Sequence, residues 1–177
     1  MAEPSSDLCT RFVEYIISRQ KNNRAMGARL RRADNRATEY QSWQYLVPFG
    51  LDLRVTRTRR VYTLIAAALA RAEPEKDGDS SFGYALAGLC NDSDKAVVGE
   101  SYEHPALPRL RRLLACTSTL EACEVLRPLL NLIADKSGHP LSYAGLMRDL
   151  LYFGEKTRER WAQDFFFRTN VPEGEDA

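Results

Sequence analysis

Arginine is the residue type whose spacing suggests chemistry in this 177-residue sequence. Arg24, Arg29, Arg31 and Arg32 fall within residues 23–34, Arg54, Arg57, Arg59 and Arg60 follow, and Arg109, Arg111 and Arg112 form a third group. A guanidinium is planar, permanently charged and forked, so it meets two phosphate oxygens at once. One arginine alone says little, because most are solvated surface residues. Three groups together suit the phosphates of a nucleic acid. Phosphate contacts fix position on a backbone and read no bases, so binding is expected to be largely independent of sequence. The carboxylates of an acidic protein offer similar geometry, and an interaction adaptor is the alternative reading.

The net charge is only +1, which alone argues against a polyanionic partner. Its distribution reverses that argument. Residues 11–60 hold twelve basic side chains against four acidic ones, whereas residues 61–177 hold thirteen against eighteen. A basic front and an acidic back make a dipolar protein, and the local field governs phosphate binding more than the total.

Other chemistry is sparse. His104 and His139 each precede a proline and read as surface turn residues, with no second ligand at metal spacing. The glycine-rich phosphate loops, the metalloprotease motif and the nucleophile elbow are missing from the sequence. Asp77/Asp79 and Asp92/Asp94 read as solvated loop carboxylates. No catalytic residue, metal or cofactor is therefore expected. Cys9, Cys90, Cys116 and Cys123 lack close pair spacing and read as buried free thiols, with disulfides or zinc as the lesser alternatives. Glu3 and Asp7 stand where a signal peptide is basic, and no apolar run approaches the ~20 residues of a membrane span. A cytoplasmic protein is expected.

The elements that would position the arginines are helical. Leu8, Phe12, Tyr15 and Ile16 lie on one face of a first helix. Asn23 caps a second, with Met26, Leu30 and Ala33 inward and Arg29 and Arg32 sharing the outer face. Arg24 and Arg31 flank that row, and Arg36 would extend it if the helix continued past Asp34. Residues 40–50 read as a short aromatic helix, with Pro48 biasing Val47 towards extended backbone. Its Trp43, Tyr45, Leu46 and Phe49 are assigned to the core, base stacking being the alternative. A strong helix starts near Thr56 and runs to Ala72. Residues 72–81 read as a mobile charged loop, followed by a short helix from Phe82.

Residues 91–105 are polar and aperiodic and serve as the expected boundary between two lobes, 1–92 and 93–177. Beyond them Leu107, Leu110, Leu113 and Leu114 point inward, with Arg109 and Arg112 together outside. Thr119 is the expected cap of a helix that Pro128 kinks or splits. Ser142 caps a helix bearing Leu146, Met147, Leu150 and Leu151, and a last helix buries Trp161, Phe165 and Phe166. The fold class is all-α, two small helical bundles in one compact chain.

Four stretches in this order resemble the CasB small-subunit family of the type I-E CRISPR Cascade complex. They are Arg29-Leu-Arg-Arg-Ala33, Tyr45-Leu-Val-Pro-Phe-Gly50, Arg109-Leu-Arg-Arg-Leu-Leu114, and Leu141-Ser-Tyr-Ala-Gly-Leu-Met-Arg-Asp-Leu-Leu151 with Arg158-Glu-Arg-Trp-Ala-Gln-Asp-Phe165. The resemblance implies a two-lobed helical protein without enzymatic activity, present as two copies in Cascade and acting in antiviral defence. It implies contact with crRNA, the target DNA strand and the displaced DNA strand, and with the crRNA-backbone subunits and the large subunit. Arg29, Arg31 and Arg32 match the family's basic N-terminal motif, and Arg109, Arg111 and Arg112 its central one. Arg54, Arg57, Arg59 and Arg60 fall in a basic region of the family. The family commonly has an acidic residue near Ser142, a difference expected to matter only for capping.

Overall fold

The computed structural model describes residues 6–89, 104–136 and 140–170. Most of the expected boundary segment, with Cys90, Asp92, Asp94, His139 and the acidic tail, lies outside the described residues. Among those residues there are nine α-helices and no strand, so the chain is all-α. They are α1 (Ser6–Lys21), α2 (Arg24–Ala33), α3 (Trp43–Leu46), α4 (Thr56–Ala72), α5 (Phe82–Ala87), α6 (Leu107–Leu114), α7 (Thr119–Lys136), α8 (Tyr143–Leu151) and α9 (Glu155–Asn170).

Helix α4 is the centre. Every residue from Arg60 to Ala70 is buried, so the helix is covered on all sides. Its small side chains, Ala66, Ala67, Ala68 and Ala70, let neighbours approach closely, and α1, α2, α7 and α8 pack around it. A helix that is apolar all round must be enclosed by other elements. From α1, Phe12 meets Tyr62 edge-on at 4.7 Å and Phe49 at 5.1 Å. Each such large apolar side chain contributes about 1.5–3 kcal/mol on burial.

Helix contacts cross residue 92. The pairs α1–α8, α4–α7, α4–α8 and α5–α9 all join the first half of the chain to the second. The buried side chains of both halves form one core. Helix α4 joins the two, packing on α1 and α2 from the first half and on α7 and α8 from the second.

Against this body α9 packs on α5. Phe82 and Trp161 lie 4.8 Å apart, and a Cβ on Gly83 would stand 2.2 Å from the Trp161 carbonyl oxygen, so only glycine permits the approach. Trp161 and Phe165 are buried as expected, but Phe166 is 42% exposed and Phe167 68%. Consecutive helix positions are about 100° apart, so three phenylalanines in a row cannot share one buried stripe. His104 is also internal, contrary to the surface reading. Its Nδ1 accepts the Ala106 N–H at 3.1 Å, which leaves Nε2 to donate to the Ala87 carbonyl at 3.0 Å.

Other local expectations change in detail. Val47 is helical (φ −54°, ψ −39°), because a 3-10 turn at Val47–Phe49 overrides the bias before proline. Helix α7 runs unbroken through Pro128, so the predicted split is absent. Its cap is Ser118, one residue before the expected Thr119. Ser118 Oγ accepts the Glu121 N–H at 3.3 Å while Glu121 Oε2 accepts the N–H of Thr117 at 2.8 Å and that of Ser118 at 3.3 Å. Thr119 instead donates its hydroxyl to the Leu150 carbonyl. Buried Cys9, Cys116 and Cys123 are free thiols, as expected.

Residues 73–81 are pinned. Gly78 N–H donates to the Leu141 carbonyl at 3.2 Å, Ser80 N–H to that of Pro140 at 3.1 Å, and Ser142 N–H to that of Ser80 at 2.9 Å. A Cβ on Gly78 would lie 2.1 Å from the Pro140 carbonyl oxygen, so glycine is required for this pairing. Asp77, expected in solvent, reaches the start of α8 and accepts the N–H groups of Tyr143 at 2.7 Å and Ala144 at 3.1 Å. Ser142 caps the same helix through the Gly145 N–H. The carboxylate at this helix start thus comes from a distant loop.

Burial raises the Asp77 carboxyl above its ordinary range, against the pull of its backbone hydrogen bonds. Burial does the same to Asp149, against its bonds from Trp161 and Arg160. The folded chain therefore retains protons that the unfolded chain releases above about pH 4. The stability from these two groups is complete below that value and is lost as pH rises through their folded-state pKa values. Asp77→Asn should keep an acceptor oxygen and shrink this acid-side slope in urea unfolding, with Asp149 supplying what remains. Asp77→Ala should cost about 1–2 kcal/mol, the scale of a lost helix cap.

Candidate nucleic-acid interface

The structure divides the arginines into two kinds. On α2, Met26, Leu30 and Ala33 are buried and Arg24, Arg29 and Arg32 point outward. The helix starts where Asn23 Oδ1 accepts the Met26 N–H at 2.9 Å. Arg24 and Arg32 make no ion pair among the described residues, and Arg29 donates to the Tyr45 hydroxyl at 3.3 Å. On α6, Leu110 and Leu113 are buried while Arg109, Arg111 and Arg112 are exposed. Among the described residues Arg109 bonds only the Pro105 carbonyl of its own turn, at 3.2 Å.

The other predicted arginines are engaged by groups of the chain itself. Arg60 is 7% exposed and lies between Glu39 (3.5 Å) and Glu124 (3.1 Å). Arg59 pairs with the same Glu39 at 2.9 Å, also donates to the Leu53 carbonyl, and lies over the Trp43 ring. Arg60 is itself buried and is held by the buried Glu39 and by Glu124, so Arg60 and Arg59 are structural cations. Arg31 donates to the Ala70 carbonyl at 2.8 Å and pairs with Glu73 at 2.9 Å. Arg57 is exposed along its length and donates to the Leu151 carbonyl. Arg54 is held by Asp52 through two nitrogens on the surface, and this bonding holds the Asp52 carboxyl below its usual range.

Much of this use of arginine follows one rule. The last carbonyls of a helix have no partner in the helix, and its C-terminal end is electronegative. Arg31 takes such a carbonyl on α4, Arg57 on α8 and Arg158 on α6 (Leu114, 3.1 Å), while Arg168 adds a second bond to the Tyr84 carbonyl of α5 (2.9 Å), which already accepts the Gly88 N–H. Sequence spacing cannot separate such caps from surface arginines, because each partner is far along the chain. The pair network around Asp34, joined by Arg71 at 2.7 Å and Arg127 at 2.9 Å, was likewise invisible in the sequence.

The aromatic segment is mostly core. Leu46 is fully buried, and Trp43, Tyr45 and Phe49 are partly buried against it. Tyr40, not singled out from the sequence, is the outward ring, at 58% exposure. No group of three or more metal-ligating side chains occurs among the described residues. No helix there is long and apolar enough to cross a membrane.

The family described as CRISPR-associated protein Cse2 matches residues 27–166, well over half of the chain and including both outward arginine rows but for Arg24. The chain belongs to the Cse2 family. This is the CasB family of type I-E Cascade small subunits, so membership makes the chain a subunit of a CRISPR Cascade complex that works beside other subunits. No curated protein and no solved structure gave a significant match. In this Cse2 chain Arg60 ties α4 to α7, and Arg24, Arg29 and Arg32 remain on the outside.

Removing one partner of a buried pair strands the other charge. Arg60→Ala should lower unfolding free energy by about 3 kcal/mol, since Arg59 still holds Glu39. Arg32→Ala should change it by no more than about 0.5 kcal/mol. Equilibrium urea unfolding of the two variants beside the parent chain compares them directly.

Proposed function

We propose that this Cse2 chain is a non-enzymatic, largely sequence-independent nucleic-acid-binding subunit of Cascade. It stabilises guide RNA, target strand and the displaced DNA strand of the R-loop in antiviral defence. Its protein neighbours are the crRNA-backbone subunits, the large subunit and a second copy of itself. The observation that carries this reading is the outward row Arg24/Arg29/Arg32 on α2, left on the surface in a chain that pairs or caps with most nearby arginines. Arg109 and Arg112, exposed on α6, support it in the same way.

The energetics of strand exchange favour such a role. The heteroduplex formed is about as stable as the duplex it replaces, so modest backbone contacts from protein tip the balance. Neutralising a phosphate releases counterions, and this supplies affinity without sequence preference. Nothing in the arrangement of His104, Asp77 or Asp149 suggests catalysis, because each is engaged in helix capping or a buried bond.

If the six outward arginines each meet a phosphate, log K should fall with log[salt] at a slope of about −4 on a single strand. Arg24→Ala, Arg29→Ala and Arg32→Ala together should weaken binding to DNA and RNA of any sequence and reduce that slope by about 2. The thermal melt should stay nearly unchanged. Fluorescence anisotropy across a salt series measures the affinity and the slope, and circular dichroism on heating measures the melt. Salt-insensitive or undetectable binding by the parent chain would defeat the proposal and favour an adaptor for an acidic protein. Incubation of labelled strands with the protein and Mg²⁺ or Mn²⁺ should leave them uncut.

A further inference from the structure

Tyr40 is a large aromatic side chain left in solvent at 58% exposure, in a segment whose other apolar residues mostly turn inward. Its neighbours explain the placement. The 3-10 turn Glu39–Ser42 buries both its ends, Glu39 by pairing with Arg59 and Arg60 and Ser42 against Thr63, which leaves Tyr40 on the outer side. The same segment is fastened along α2 at two points. Thr38 Oγ1 donates to the Arg32 carbonyl at 2.5 Å, and Arg29 donates to the Tyr45 hydroxyl at 3.3 Å. Tyr40 lies between these fastenings in the chain, and its turn packs directly on α2. The turn that carries the ring therefore lies against the helix that carries Arg29 and Arg32.

Exposing such a ring forgoes the stabilisation of burying it. An aromatic face beside guanidinium groups is the combination that holds single-stranded nucleic acid, with the cations tracking phosphates and the ring stacking on a base. Stacking needs an unpaired base, because a base within a duplex offers no free face. We infer that Tyr40 is a base-stacking residue, and that the α2 surface takes an unpaired nucleotide whose flanking phosphates lie on Arg29 and Arg32. This rests on the phosphate reading of α2 above and adds to it a strand type and a contact to the base.

The test uses the full chain and two labelled probes of equal length, oligothymidylate and an abasic deoxyribose-phosphate strand. They share phosphates and differ in bases. Tyr40→Ala should weaken oligothymidylate binding about tenfold, within the range seen for loss of one stacked base. It should leave the abasic strand and the salt slope unchanged. Tyr40→Phe should bind oligothymidylate within about twofold of the parent chain. Arg32→Ala should weaken both probes and flatten the salt slope. Tyr40→Ala binding that matches the parent on both probes, or falls equally on both, overturns the stacking assignment while the phosphate reading stands. A parent chain that binds neither probe defeats both.

Discussion

Asp34 and Glu39 are carboxylates with side chains 3% and 7% exposed, and each accepts two arginines. An ionised group so far from water is tolerable only when charge and hydrogen bonds replace its hydration. The partners come from different helices. Arg59, Arg60 and Arg71 belong to α4, and Arg127 to α7, while Glu124 of α7 holds the far side of Arg60. These pairs tie the end of α2 and the turn that follows it to α4 and α7. They sit at both ends of a helix whose middle is apolar on every side, so they also set how α7 lies along α4.

That arrangement divides the labour among arginines. Where a guanidinium reaches a buried carboxylate or the open carbonyls of a helix end, it belongs to the fold. Arg31, Arg57, Arg59, Arg60 and Arg158 act in this way. Where packing leaves it on an outer face, as on α2 and α6, its charge faces the solvent. A Cascade subunit of the Cse2 family is thus built with the same residue type inside and out, and burial alone distinguishes the two uses. The proposed interface borrows the rigidity of the internal pairs, because α2 is braced by Arg71 and Arg127 through Asp34 just beyond its last turn.

Most helices were legible because their apolar residues recur at helical spacing. The start of α2 at Asn23, the course of α4 from Thr56 to Ala72 and the Ser142 cap of α8 follow from local pattern and cap chemistry. Family resemblance was legible too, from four short motifs in order. The misreadings share a cause. Residues 73–81 looked like solvent loop because their anchors, Pro140 and Leu141, are some sixty residues away. His104 looked like a surface turn because its partner carbonyl at Ala87 is on another helix. Phe166 looked buried because a run of three phenylalanines does not declare which one faces the core.

Local sequence thus determined the secondary structure, the all-α class, the family and the inward or outward side of α2 and α6. Those depend on interactions within a few residues, which a pattern records. Tertiary structure alone decided that the halves share one core around α4, that Asp77 caps α8, and which arginines are spent on Glu39, Glu124 and helix ends. Charge and hydrogen-bonding capacity can be read from a residue's identity. The partner that satisfies them, and hence whether any is left for a ligand, exists only once distant segments meet.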